Sequence, residues 1–438
     1  MADKFSLETL ALHAGQIPDP AYGSRAVPIH QTTSYVFDSS EHAASLFNLE
    51  QGGHLYSRIS NPTVAVLENR IAALDGGVAC IAASSGMAAL HLALTALVSQ
   101  GDHIVYSAQL YGAAINLIDQ TMARYGVEST SVDPRDLDAI RAAIRPNTKC
   151  VLAELISNPK LDIFNVPEVA KITQAAGVPL VVDGTFNTPY LCRPLDHGAN
   201  VVIHSVTKWM AGHGTTIAGA VVDGGNFDWS VKNADGTHKF PMIADPHYSL
   251  DGINFLDEFG PSAMTMRMRC EGMYNLGPSL SPLSAFLVLQ GLETLHLRMD
   301  RHMSNAHAMV EFLDSHEAVA WVDHPSKPDH HDHDLAKQLL PKGAGSIIAF
   351  GVKGGRAAGA AFTEHVELAS HLANVGDAKT LVIHPGSTTH SHLTPQQMAD
   401  SGTTEDLIRL SVGLENIDDL KADLDRALKM SQRAVAKG

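Results

Sequence analysis

From about residue 71 the chain alternates between short, almost wholly apolar runs and longer stretches whose apolar positions recur at helical spacing. The runs 102–106, 150–154, 178–183, 200–204 and 218–222 predict strands. The intervening stretches 87–98, 110–125, 134–144 and 166–176 predict helices. Strands that are apolar on both faces and separated by helices predict a mostly parallel α/β sheet covered on both sides. Such sheets bind ligands at the C-terminal ends of their strands.

The flanks read differently. Before about residue 70, Pro18, Pro20, Gly23, Pro28, Gly52, Gly53 and Pro62 interrupt any sustained period, with aromatics between them. This predicts an extended N-terminal arm (1–70) that packs on another domain or subunit. Residues 224–262, rich in Gly, Asp, Asn and Pro, predict a long surface excursion. Beyond the large domain (71–283), helices are predicted over 285–302, 304–315, 366–373 and 418–437, and strands over 346–350 and 380–383. They make a smaller C-terminal α+β domain, 284–438.

Composition narrows the function. The 438 residues are 45% hydrophobic and 18% charged, as in folded globular chains. Lys plus Arg is 31 against 47 Asp plus Glu, a net charge of −16 without a basic block, which argues against nucleic-acid or anionic-membrane partners. Cys80, Cys150, Cys192 and Cys270 form no CxxC pair and read as reduced packing residues. No apolar segment has the length or flanks of a membrane span or signal peptide, so a cytoplasmic protein is expected.

The candidate chemistry gathers at predicted strand ends. Ser205-Val-Thr207-Lys208 follows the strand 200–204 and leads into Gly212-His213-Gly214. A lysine in a partly dry crevice is a better amine nucleophile, suited to a Schiff base with pyridoxal phosphate. Read singly, a strand-end lysine is more often a solvated charge. Asp183 ends the preceding strand, where a carboxylate can pair with a protonated pyridine nitrogen or simply cap a turn. Ser84-Ser85-Gly86-Met87 opens an Ala/Leu-rich helix, either as an ordinary cap or as a phosphate cradle. Ser205 and Thr207 offer further hydroxyls to the same phosphate. Tyr111, after the strand 102–106, is placed to stack on a planar ring or to pack in a loop.

Together these segments resemble the Cys/Met metabolism (cystathionine γ-synthase-like) family of fold-type I pyridoxal-phosphate (PLP) transferases. The stretches that carry the resemblance are Tyr56-Ser-Arg58-Ile-Ser-Asn61-Pro62-Thr63, Ser85-Gly86-Met87, Tyr111-Gly112, Ser157-Asn158-Pro159, Asp183-Gly184-Thr185-Phe186, Ser205-Val-Thr-Lys208, Gly291-Leu-Glu-Thr-Leu and Arg409-Leu-Ser-Val-Gly-Leu-Glu. His13-Ala-Gly-Gln, Lys208-Trp and His384-Pro-Gly-Ser are similar to the branch of O-acetylhomoserine sulfhydrylases.

The resemblance implies a seven-stranded-type sheet flanked by helices. It implies Lys208 as the Schiff-base residue and proton carrier, Asp183 at the ring nitrogen and Tyr111 on the ring. Ser85, Gly86, Met87, Ser205 and Thr207 would hold the phosphate, with Asn158 near the phenolic oxygen and Arg409 and Asn374 at the substrate carboxylate. Tyr56 and Arg58 would reach the neighbouring subunit's site, so a homodimer with shared sites, assembled into a tetramer, is implied. The implied reaction is γ-replacement on O-acetyl-L-homoserine by sulfide or methanethiol. The rivals are γ-lyase or cystathionine γ-synthase activity. Two departures from the family's pattern are Gly184, where relatives often carry asparagine, and Glu154-Leu-Ile-Ser-Asn-Pro.

Other signals are set aside. The run Asp329-His330-His331-Asp332-His333-Asp334 and the histidines His384, His390 and His392 lack the separated spacing of structural zinc sites, so no metal is expected. The former reads as a solvated loop before a turn at 335–340, the latter as polar lining. Met264, Met266 and Met268 alternate as on a strand face in the core. A serine–lysine acyl-enzyme hydrolase reading of Ser205-x-x-Lys208 lacks its Ser-Asp-Asn and Lys-Thr-Gly partners.

Overall fold

The computed structural model describes residues 4–247, 250, 252–388 and 403–436. Its larger sheet contains β1 (Ala79–Ala83), β2 (His103–Ser107), β3 (Glu128–Val132), β4 (Thr148–Glu154), β5 (Leu180–Asp183), β6 (Val201–His204) and β7 (Gly219–Asp223). The spatial order is β1-β7-β6-β5-β4-β2-β3, parallel throughout except for β7, which runs antiparallel to both neighbours. Val105, Val151, Val182 and Val202 face one core, and Ile104, Leu152, Val181 and Ile203 the other, as the predicted two-sided burial requires. The five predicted strands are present. β1 and β3 were not predicted: β1 is built from small residues, and the polar edge strand β3 carries only one buried position.

The smaller sheet holds β8 (Val319–Asp323), β9 (Ile347–Val352), β10 (Ser370–His371), β11 (Leu381–Ile383) and β12 (Leu407–Ser411), ordered β10-β11-β12-β9-β8. Its apolar face packs on the helices Gly355–His365 and Ile417–Val435. The helix predicted over 366–373 is not formed. The carboxylate of Asp423 accepts the backbone N–H groups of Glu367, Leu368 and Ala369, and the chain then pairs as β10. The two helices predicted to meet near residue 303 are Pro282–Glu293 and Leu295–Asp314, separated at Thr294, whose backbone leaves the helical region (φ −112°, ψ 10°).

Three other expectations are corrected. Residues 224–262 are not merely a surface excursion: Trp229, Phe240, Ile243 and Phe255 are buried, with Trp229 and Phe240 ring centroids 5.2 Å apart. Met264 and Met268 are buried on one side of a helical segment, four residues apart, so their alternation with Met266 is not that of a strand. The segment 329–334 is a solvated loop only in part: Asp329 and His331 are exposed, but His330 is buried and stacks on His331, and residues 333–339 form a helix rather than a turn.

The arm is mixed. Helix Leu7–His13 docks Leu10 and Ala11 onto the chain's own core. Asn61 caps helix Pro62–Asp75 by accepting the Thr63 N–H, a contact of about 1 kcal/mol. Between these helices, Ile17, Tyr22, Val36, Phe47 and Tyr56 are exposed. The cysteines are free, with Cys80, Cys150 and Cys192 buried, and no described helix is long and apolar enough to cross a membrane.

Candidate active site

A cavity of about 310 Å³ opens at the C-terminal ends of the parallel strands and is closed by the smaller sheet's side of the chain. Lys208 follows β6, and its backbone is fixed by the turn between β6 and β7: Thr207 donates its hydroxyl to the Ala218 carbonyl and accepts the Ala218 N–H. The Lys208 Nζ donates to Asn374 Oδ1. Burial, and then the charge of Arg409, push the Lys208 amine below its ordinary pKa.

Asp183 ends β5, with Oδ1 accepting the Thr185 N–H at 2.8 Å; Thr185 Oγ1 accepts the Ser205 N–H at the same distance. On the next strand, in register with Asp183, stands Glu154. Burial and then the Asp183 charge raise the Glu154 carboxyl well above its usual range, against the backbone N–H groups of Tyr111 and Asn158. Burial raises Asp183 too, while Thr185 and His204 pull it down. Burial leaves both carboxyls raised, Glu154 the more strongly, so Glu154 is the member of the pair that holds a proton more tightly.

The opposite wall is built from β12. Arg409 donates Nη1 to Asn158 Oδ1 at 3.2 Å and Nη2 to the Asn374 carbonyl at 3.4 Å. Burial lowers its pKa to about 10, leaving a guanidinium charged at neutral pH. At the far end, helix Gly86–Leu97 begins under Ser85, whose hydroxyl accepts the Ala88 N–H. The first N–H groups of a helix have no intrahelical acceptor.

Of the residues expected at the site, Ser85, Gly86, Met87, Tyr111, Asn158, Asp183, Ser205, Thr207, Lys208, Asn374 and Arg409 all line this cavity. Tyr56 and Arg58 do not. The Arg58 guanidinium lies 5.4 and 5.5 Å from the rings of Tyr56 and Tyr274, outside the pocket. Glu154 ends the predicted strand 150–154 and opens the departing run Glu154-Leu-Ile-Ser-Asn-Pro, but it was not expected at the site, although its place at a strand end was a usable signal.

The histidines set aside are placed by hydrogen bonds. His384 accepts from Ser387 Oγ and donates to the Glu405 carbonyl; His390 and His392 lie outside the described residues. Asp162, His330 and His331 bring ligand-type atoms within 4.8 Å of one another, but His330 Nδ1 accepts the Asp332 N–H, which leaves the proton on Nε2.

The pocket fits pyridoxal phosphate. Gly86 abuts Ser205 so closely that a Cβ would sit 2.7 Å from the serine Cβ, leaving backbone N–H groups as the lining of an anion cradle. A carboxylate for the ring nitrogen and an amine for the aldehyde complete the donor set.

Fold and pocket thus define an α/β enzyme organised around a half-buried lysine and a strand-end aspartate. The chain belongs to the family described as Cys/Met metabolism PLP-dependent enzymes, whose profile matches residues 8–429. It is 48% identical over 425 residues to homocysteine synthase of Schizosaccharomyces pombe, covering 97% of this chain and 98% of that one. It is 45% identical over 438 residues to O-acetyl-L-homoserine sulfhydrylase of Leptospira meyeri, covering 98% of each. The crystal structure of an O-acetylhomoserine (thiol)-lyase from Campylobacter jejuni, solved with a pyridoxyl-lysine monophosphate, superposes with a TM-score of 0.93 at 38% identity, over 97% of this chain and all of that one.

Proposed function

We propose that this chain catalyses γ-replacement on O-acetyl-L-homoserine, using sulfide or methanethiol and giving homocysteine or methionine plus acetate. The observation that carries the reading is the arrangement of Lys208 Nζ between Asp183 on one side and the Arg409–Asn374 wall on the other, in a chain whose relatives are named for this reaction.

Bound pyridoxal phosphate supplies an electron sink beside the substrate's Cα. Ser85, Gly86, Met87, Ser205 and Thr207 hold its phosphate, and Asp183 holds a proton at its ring nitrogen. Asn158 takes the phenolic side. Arg409 clamps the substrate carboxylate with its planar fork, assisted by Asn374. Lys208 Nζ then removes the proton from Cα and carries protons to and from Cβ as acetate leaves Cγ. Its lowered pKa keeps more of the amine in the basic form at neutral pH. Tyr111 covers the ring face and excludes water.

The same reading divides the chain into arm (1–70), cofactor domain (71–283) and small domain (284–438). It makes the protein a cytoplasmic homodimer that pairs into a tetramer, in which Tyr56 and Arg58 complete the neighbour's phosphate site. Product analysis of the purified enzyme with O-acetylhomoserine and each thiol tests it. Homocysteine or methionine with acetate is expected, and turnover confined to cystathionine or methionine breakdown rejects it.

A further inference from the structure

Behind the catalytic face lies a second buried charge pair. Asp183 is in register with Ile203, so the two point to one side of the sheet. His204, the next residue on β6, points to the other. There its Nε2 lies 2.9 Å from Oδ2 of Asp75, the last residue of helix Pro62–Asp75. Both side chains are essentially sealed, at 1% and 0% exposure, so an ionised Asp75 needs its counter-charge from within the fold. The other titratable groups around the pair are Asp183, the thiols of Cys80 and Cys192 and, beside Gly76 at the end of the same helix, Arg193 and Asp196, which pair with each other at 2.6 Å. Burial, and then neighbouring carboxylates including Asp75, push both thiols up, so neither supplies charge.

His204 answers Asp75 with Nε2, while its Nδ1 faces the Gly184 backbone without a hydrogen bond of normal geometry and Asp75 Oδ1 is likewise unpaired. The ring lies directly against Gly184, the residue after Asp183: a Cβ on Gly184 would sit 2.8 Å from His204 Cε1 and 3.1 Å from Val202 Cγ1. The glycine that departs from the family pattern is thus where the ring packs closest to the Asp183 turn. Burial opposes a charged His204, but Asp75, then Asp183 and the Gly184 backbone, outweigh it, and the imidazole is raised above its ordinary pKa. The same charge joins the two larger Thr185 hydrogen bonds in opposing the burial that leaves the Asp183 carboxyl raised.

We propose that His204, anchored by Asp75, is a positioning residue that supplies from behind the sheet the positive charge keeping Asp183 ionised for the cofactor's ring nitrogen. It touches neither cofactor nor substrate. In a low-dielectric interior a charge one strand away acts strongly on a carboxylate. The inference rests on the cofactor reading above.

The test uses the full-length enzyme stripped of its cofactor and pyridoxine 5′-phosphate, which lacks the aldehyde and so reports ring binding without a bond to Lys208. His204→Gln and Asp75→Asn are each expected to weaken pyridoxine phosphate binding about tenfold or more at neutral pH, and to move ring-nitrogen deprotonation, read by ultraviolet titration, to lower pH. The double variant is expected to be no worse than the more affected single one. Binding within about twofold of the parent with an unmoved titration, even if the melting temperature falls, makes the pair merely structural and overturns the proposal. Should both variants fail to fold, neutron diffraction of the parent holoenzyme decides: protons on both His204 ring nitrogens support it, and a single proton overturns it. A parent protein that binds neither pyridoxal nor pyridoxine phosphate overturns the cofactor reading itself, and this inference with it.

Discussion

Glu154 and Asp183 stand side by side at the ends of β4 and β5, in register, two carboxyl groups at one wall of the same cavity. Like charges this close cannot both ionise cheaply, and the one with more desolvation keeps its proton. Glu154→Gln, which mimics the neutral acid, is expected to leave the cofactor's visible band in place and kcat within roughly threefold. Asp183→Asn is expected to lower kcat on the order of 10²-fold or more, with loosened cofactor retention. Absorbance spectra and steady-state kinetics on both variants check the assignment; equal losses would show that Glu154 carries charge.

Lys208 is held below its ordinary pKa first by burial and then by Arg409. A depressed pKa means more free amine at a given pH, so apoenzyme should form an imine with pyridoxal at lower pH than a free lysine does. Arg409→Gln removes one cause and is expected to move the midpoint upward. Lys208→Ala should abolish the visible band and turnover together. The pH dependence of imine formation, followed spectrophotometrically, gives the sign directly.

How far the sequence carries the fold is clear from particular residues. The strand ends bearing Asp183 and Lys208 were legible because near-continuous apolar runs stop there. β3 was not, because Glu128-Ser-Thr-Ser-Val is a polar edge strand held by its register with β2. The false helix at 366–373 had the right periodicity, and a remote carboxylate, Asp423, took its backbone donors instead. The His204–Asp75 pair joins positions 129 residues apart, a relation that no local pattern encodes. The pocket residues were legible largely through the family resemblance, since each read alone had an ordinary structural explanation.

Arg409 presents a planar fork to a cavity wall it shares with Asn158 and Asn374. Lysine retains the charge but loses the paired geometry. Arg409→Lys is expected to cost about 1.5–3 kcal/mol, or roughly 10- to 150-fold, in kcat/KM, mostly as a raised KM for the amino acid. A change confined to kcat, with KM intact, would remove Arg409 from carboxylate binding.

Arg58 lies outside its own chain's cavity, between the rings of Tyr56 and Tyr274. If it completes a neighbour's phosphate site, Arg58→Ala should weaken cofactor retention while the melting temperature of the apoprotein stays within a few degrees. Mixing Arg58→Ala with Lys208→Ala protein should restore about a quarter of parental activity through hybrid dimers with one intact site, the statistical share of one good site in a half-hybrid population. Unchanged retention and no complementation would place the arm elsewhere.

Asp223, at the end of β7, is buried with Gly225 and Thr265 as its hydrogen-bond donors and, among the described residues, forms no ion pair. Burial raises its pKa from 3.8 to about 6. The folded state therefore binds this proton more tightly than the unfolded chain does. Between those two values stability falls as pH rises, by at most about 3 kcal/mol, and is level above them. Asp223→Asn, which cannot ionise, should flatten that part of the stability curve and leave the parent less stable than the variant near neutral pH, apart from the weakened Thr265 contact. Chemical denaturation at pH 4, 5, 6 and 7 measures the slope; parallel curves for parent and variant would mean that Asp223 is ionised throughout.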